Sequence, residues 1–121
     1  MDNPIAIFSL EIGAAVLFWL VVVVVETAVY QFMRYGDFRQ CLRAALIANL
    51  VTALIVAAAL MLIPRLGLSG LVVGGLVAIL LEGLVLNRLK PGPSRQNWLT
   101  ASLSNLVSFT ILIFPVYFFA T

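Results

Sequence analysis

The sequence predicts an all-α protein, a four-helix transmembrane bundle built from two tandem parallel helical hairpins, and three observations predict it. The chain of 121 residues is 64% hydrophobic and only 10% charged, whereas a soluble domain keeps roughly a quarter of its residues charged. Four apolar runs, at about 5–30, 41–64, 67–87 and 98–120, each reach the ~20 residues that a helix needs to cross a hydrocarbon core of ~30 Å. A shift of 56 positions aligns the first pair of runs with the second. So apolar a surface must face an apolar medium, and the lipid bilayer is the partner the composition names first.

The first run carries Glu11 and Glu26 and is long enough to tilt or to project beyond the membrane. Asp2 precedes it, and the first five residues hold no Lys or Arg, so the positive start of a cleavable signal peptide is missing. A link from Gln31 to Gln40 turns at Tyr35-Gly36-Asp37 and leads to the second run. Pro64 to Gly70 forms the second link, and Arg88 to Asn97, with Pro91-Gly92-Pro93, the third. Proline lacks an amide hydrogen and glycine favours turns, so each link ends a helix. The runs lack the alternation of a barrel strand, and lipid cannot satisfy an open sheet edge, which leaves helix. No link is long enough to hold a second domain, so residues 1–121 read as a single transmembrane domain.

Orientation follows from the cations. Arg34, Arg39, Arg43, Arg88, Lys90 and Arg95 flank the first and third links, against Arg65 alone at the second. The positive-inside rule then places links one and three in the cytoplasm and both termini outside, in a prokaryotic inner membrane. Tyr30, Tyr35 and Trp98 fall where a cytoplasmic aromatic belt is expected, with Tyr117 near the opposite face. The same cations are candidates for contact with lipid head groups.

The repeat covers about residues 11–65 and 67–121. Its polar matches carry the argument: Glu26 with Glu82, Gly36 with Gly92, Arg39-Gln40 with Arg95-Gln96, and Asn49-Leu50-Val51 with Asn105-Leu106-Val107. Thr52 and Ser108 match in chemistry. The chain has only three Glu and three Gln, so chance pairing of these types is improbable. Each half has two spans, which gives both the same orientation and sets the pseudo-twofold axis along the membrane normal.

Inside the spans, Glu26 falls opposite Asn49 across the first hairpin, and Glu82 opposite Asn105 across the second, with Ser102 at a similar depth. A carboxyl group in hydrocarbon must be protonated, paired or hydrogen-bonded. Two readings follow: a polar clamp that fixes helix rotation, or an ion or proton site. Thr52 and Ser108 belong to either reading. Arg43 lies about one turn from Glu26 and is a candidate partner, whereas Leu99 takes its place in the second half. Glu82 ends a stripe of small residues, Gly70, Gly74 and Ala78, whose spacing of four lines one helix face for close packing. Ala45, Asn49, Ala53 and Ala57 form a similar face. Cys41 reads as an interfacial residue open to palmitoylation.

Several function classes lose their chemistry. There is no histidine and one cysteine, which removes the usual zinc, haem and copper ligands, a disulfide framework and the commonest general base. No cofactor or metal is expected. A net charge of +2 without a basic, aromatic-interleaved patch argues against nucleic acid. With no nucleophile beside a base, the chain is expected not to be an enzyme. The leading expectation is a non-catalytic membrane subunit or scaffold packed against membrane-protein partners or copies of itself. The alternative is a small permeation protein for protons, ions or solutes, using Glu82 and Glu26.

The stretch Glu26-x-x-Val29, followed by Ala45-x-x-x-Asn49-Leu50-x-Thr52, resembles the cyanobacterial filament-integrity (FraC-like) family of small multi-span membrane proteins. The resemblance spans about residues 18–53, with an echo at 82–108, and implies a structural or assembly role at junctions between cells. Glu11-Ile12-Gly13 looks like the motif of small multidrug transporters. Those proteins have weak charge bias and dual orientation, unlike the strong bias and parallel repeat read here.

Overall fold

The computed structural model describes residues 3–62 and 67–113, with side chains at 3–55, 69–70 and 72–111. Four helices account for almost all of them: α1 Pro4–Phe32, α2 Phe38–Leu62, α3 Gly67–Leu89 and α4 Ser94–Ser108. A π-helical turn, Phe109–Ile113, continues α4. Among the described residues there is no strand. Three helices, α1, α2 and α3, are long and apolar enough to cross a membrane. The fourth expected run extends to 120, and its part beyond Ile113 lies outside the described residues, as do Tyr117 and residues 64–66 of the second link, Arg65 among them.

Local chemistry sets the helix ends. Asn3 caps α1 by accepting the Ile5 backbone N–H at 3.0 Å, and Pro4 fills a first-turn position where its missing N–H costs nothing. At the other end the Tyr35 N–H donates to the Tyr30 carbonyl and the Arg34 N–H to the Gln31 carbonyl. This is a Schellman closure, and its usual contact is made by the Tyr30 and Tyr35 rings, 5.7 Å apart. Arg34 takes the left-handed position (φ 58°) that glycine normally fills. Asp37 and Gln40 then form a capping box for α2: the Asp37 carboxylate accepts the Gln40 N–H at 2.8 Å, and the Gln40 side chain accepts the Asp37 N–H at 3.0 Å. A side chain at Gly36 would run into Gln40, so the predicted turn is fixed by packing.

The third link closes differently. Gly92 sits at φ 121°, a region L-residues avoid. No side chain caps α4. Instead the Asn97 amide reaches back to the carbonyl of Lys90 at 2.9 Å and satisfies the end of α3. The two links are also laced to each other. Gln96 donates to the Met33 carbonyl at 2.6 Å, and the Lys90 ammonium donates to the Tyr35 carbonyl.

Helix α1 packs against α2 and α4, and α3 packs against the same two. The apolar part of the core comprises Val23, Tyr30, Tyr35, Cys41, Ala44, Ala45, Leu86 and Ala101, toward the end that carries links one and three. Its neighbours are polar: Glu26, Thr27, Glu82, Asn97, Thr100, Ser104, Asn105 and Ser108 are all buried. Large apolar side chains such as Leu17, Val24, Leu54, Leu76, Leu84 and Leu106 face outward. A water-soluble protein shows the opposite distribution.

Three expectations are corrected here. Tyr30 and Tyr35 do not lie in an interfacial belt; both are buried, because the Schellman turn folds Tyr35 back over Tyr30 and both phenols find acceptors on other groups inside. Burial, and then the neighbouring Cys41 thiol, push the Tyr35 phenol above its ordinary pKa. Cys41 is fully buried, its thiol donating to the Gly36 carbonyl at 3.4 Å, so it presents no surface for palmitoylation. Close approach also misses Gly74, where an added Cβ would meet nothing within 4 Å. It occurs one residue on, at Gly75 beneath the Phe109 ring, and at Gly83 beneath the Trp98 indole.

Gly83→Ala should therefore cost about 1–3 kcal/mol, because the indole must move, while Gly74→Ala should be neutral or mildly stabilising. Thermal unfolding of both variants in detergent checks this, and equal behaviour would contradict the packing.

Candidate functional site

The site forms where four helices bring polar groups to one depth. On α1, Glu26 and Tyr30 are four residues apart and share a face. On α4, Ser104, Asn105 and Ser108 line a second face. Asn49 of α2 and Glu82 of α3 complete the set. Glu26 is 2% exposed and Glu82 3%, so neither carboxyl group has water to solvate it.

Neutral donors do so instead. The Asn49 amide donates to Glu26 Oε2, and the Ser108 hydroxyl to Glu26 Oε1 at 3.0 Å. Glu82 Oε1 accepts the Tyr30 phenol and, at 2.8 Å, the Ser104 hydroxyl, while Glu82 Oε2 accepts the Asn105 amide. Every carboxyl oxygen therefore has a partner. Each asparagine also donates to the carbonyl four residues earlier, Ala45 for Asn49 and Ala101 for Asn105, both at 2.8 Å. Those second bonds pin the amides and fix which way they point.

The pattern crosses between the two halves of the chain. Asn49 and Asn105 bond within their own helix pair, α1–α2 and α3–α4. Tyr30 of the first pair donates to Glu82 of the second, and Ser108 of the second donates to Glu26 of the first. Both carboxyl groups draw on α4, Glu26 through Ser108 and Glu82 through Ser104 and Asn105. A carboxylate buried without a cation is costly, and this cluster lowers the cost by hydrogen bonding alone.

The expected opposition of Glu26 with Asn49 and of Glu82 with Asn105 is present, and Ser108 joins Glu26. Thr52, the counterpart of Ser108, is half-buried and bonds to neither carboxylate. Arg43 does not pair with Glu26. It is exposed and lines a cleft at the helix end, since six residues of helix turn it well away from the direction of Asn49. Ser102 points outward, and Ser104 takes the place expected for it. Along the stripe, Ala78 is buried beside Glu82, whereas Gly70 and Gly74 are half-buried. Ala53 is exposed and the side chain of Ala57 lies outside the described residues. Arg34, Arg39, Arg88, Lys90 and Arg95 are exposed at one end of the helices, as their count at the links foretold.

Tyr30 and Ser104 were not read as cluster members from sequence. A helical signal was present for each: Tyr30 stands one turn from Glu26, and Ser104 one turn from Ser108. A second buried group, Asn97, donates to Lys90 and Leu86 carbonyls and to the Asn87 side chain, while its own Oδ1 lacks a partner among the described residues. No group of His, Cys, Asp and Glu among the described residues could hold a metal ion. No protein-family model, no curated protein and no solved structure matches the chain.

Asn105→Leu should lower stability by about 1–3 kcal/mol, since Glu82 loses the only donor on one oxygen while staying buried. Asn49→Leu should do the same for Glu26, and Tyr30→Phe should cost less because Ser104 still serves that oxygen. Unfolding midpoints in detergent test the order. No loss at either asparagine would refute the clamp.

Proposed function

We propose that this chain is a non-catalytic, multi-pass membrane subunit or scaffold, whose polar cluster locks four helices so that their apolar exterior can pack against partner proteins. The observation that carries the reading is the closure of the cluster. Each carboxyl oxygen is already occupied by a neutral donor from a neighbouring helix, and both carboxyl groups are buried. A polar network saturated in this way holds helices in register. The resemblance to the filament-integrity family supports an assembly role in the same direction.

The architecture we infer is a duplicated hairpin, with repeats at about 11–65 and 67–121 related by an axis along the membrane normal. Equivalent Glu–Asn bonds 56 residues apart support it. The exposed cations at links one and three support a cytoplasmic placement of that end, with both termini outside a prokaryotic inner membrane.

A second reading, permeation of protons, ions or small solutes, draws on a different observation: two carboxyl groups in one cluster with no cation to neutralise them. Intramembrane carboxylates with that property often serve transport.

Mild-detergent extraction of the tagged chain from native membranes, with native-gel sizing and mass spectrometry, should recover partner proteins in fixed stoichiometry. A lone monomer or small homo-oligomer would overturn the subunit reading. Under the permeation reading Glu82→Gln abolishes flux in reconstituted vesicles with the fold intact, and absence of flux from the unaltered protein rules it out. For orientation, a Cys41→Ser, Arg39→Cys double variant should react with an impermeant thiol reagent only in inverted membrane vesicles. Labelling from the outside of intact cells would reverse the topology.

A further inference from the structure

Between the start of α2 and the end of α3 lies a cleft of about 210 Å³, lined by Tyr35, Gln40, Arg43, Ala44, Leu89 and Lys90. Its polar walls come from different helices, and Ala44 and Leu89 make its apolar part. Arg43 is exposed and has no acceptor among the described residues. Its five N–H donors are therefore available to a ligand. Lys90 is held in place: its ammonium donates to the Tyr35 carbonyl and stands 5.3 Å from the centroid of the Tyr35 ring. That leaves two of its three donors free, on a charge whose position is fixed.

No acid neutralises this pair. Among the described residues neither cation forms an ion pair, and Asp37, the acidic residue of the link, commits an oxygen to the Gln40 backbone N–H. The result is a concave site with two cations and no acidic residue in its lining, Asp37 standing outside it. Phosphate groups suit such a site, because a guanidinium fork can donate two parallel hydrogen bonds to two phosphate oxygens.

The surroundings decide which phosphate. The cleft opens where the apolar helices meet the polar links, and Leu89, in its wall, is 40% exposed. A free anion gains nothing from an exposed leucyl group, whereas the acyl chain of a lipid covers it. The remaining exposed cations at this end add long-range attraction for an anionic leaflet. We propose that this cleft binds the phosphate head group of one anionic phospholipid, with Arg43 as its principal donor and Lys90 as the second, pre-positioned charge. This goes beyond the scaffold reading and does not depend on it. It also gives Arg43 a role other than the pairing with Glu26 that its place in the sequence invites.

Native mass spectrometry of the intact chain in mild detergent tests this, with phosphatidylglycerol and phosphatidylcholine offered at equal mole fraction. One phosphatidylglycerol should be retained and phosphatidylcholine not. Arg43→Gln should weaken retention by about tenfold or more, the value of one charge-assisted hydrogen bond. Arg39→Gln, on the same end but outside the cleft, should leave retention within about twofold, as expected for a change in diffuse surface charge alone. Millimolar inorganic phosphate should not displace the lipid. Arg43 makes no bond among the described residues, so its variant should keep the unfolding midpoint of the unaltered chain. Undiminished retention by Arg43→Gln would overturn the proposal. So would equal losses at Arg39 and Arg43, which would mark a diffuse basic rim. Displacement by inorganic phosphate would mark a site for free anions and overturn it as well.

Discussion

Two carboxyl groups surrounded by apolar helices, with no cation beside either among the described residues, are the constraint to which the rest of this structure answers. Hydrocarbon offers no solvation, so donors must come from other helices, and each must arrive at the right depth and rotation. Glu26 takes its donors from α2 and α4, and Glu82 from α1 and α4. Rotating α4 by one residue would withdraw Ser104, Asn105 and Ser108 together. In an apolar medium without a hydrophobic drive between helices, such bonds and close steric fit are what remains to specify the arrangement. The fit is visible at Gly75 and Gly83, where glycines admit the Phe109 and Trp98 rings.

The lacing of links one and three complements this cluster. Gln96 to the Met33 carbonyl and Lys90 to the Tyr35 carbonyl join main-chain acceptors that the Schellman turn leaves pointing outward. Gln40 and Gln96 occupy matching positions 56 residues apart, yet Gln40 caps its own helix and Gln96 reaches across to the other link. Like residues 56 positions apart thus serve unlike uses. The same is true of Tyr30 and its counterpart Leu86, of which only the tyrosine can donate to a carboxylate.

Much of the fold was legible because membrane helices are dictated by composition. Long apolar runs broken by Gly36, Pro91 and Gly92 leave few alternatives, and the exposed cations follow their count at the links. The opposition of Glu26 to Asn49 and of Glu82 to Asn105 was also readable, since depth in an antiparallel pair follows from counting residues out from the turn. What counting along one hairpin cannot give is contact between hairpins. Tyr30 and Ser104 find Glu82 through the way α1, α3 and α4 face one another, and position in the chain carries no information on that. Arg43 was misread for a related reason: nearness in depth to Glu26 ignored its angle around α2. Tyr30 and Tyr35 were assigned by distance from the membrane edge, whereas a non-glycine Schellman turn at Arg34 draws them inward.

The exchange of donors between the two hairpins bears on how the chain is made. Synthesis delivers the N-terminal segments first, so α1 and α2 enter the bilayer while Ser108 has yet to be translated. At that stage Glu26 has Asn49 but no donor on its other oxygen, and the Tyr30 phenol has no carboxylate to meet. The nascent hairpin is therefore polar and incompletely satisfied until α4 arrives. The second pair meets these needs in order: Glu82 arrives on α3 and receives Tyr30, and Ser108 on α4 then serves Glu26. Glu82 in turn waits for Ser104 and Asn105, so the cluster closes only when α4 is in place.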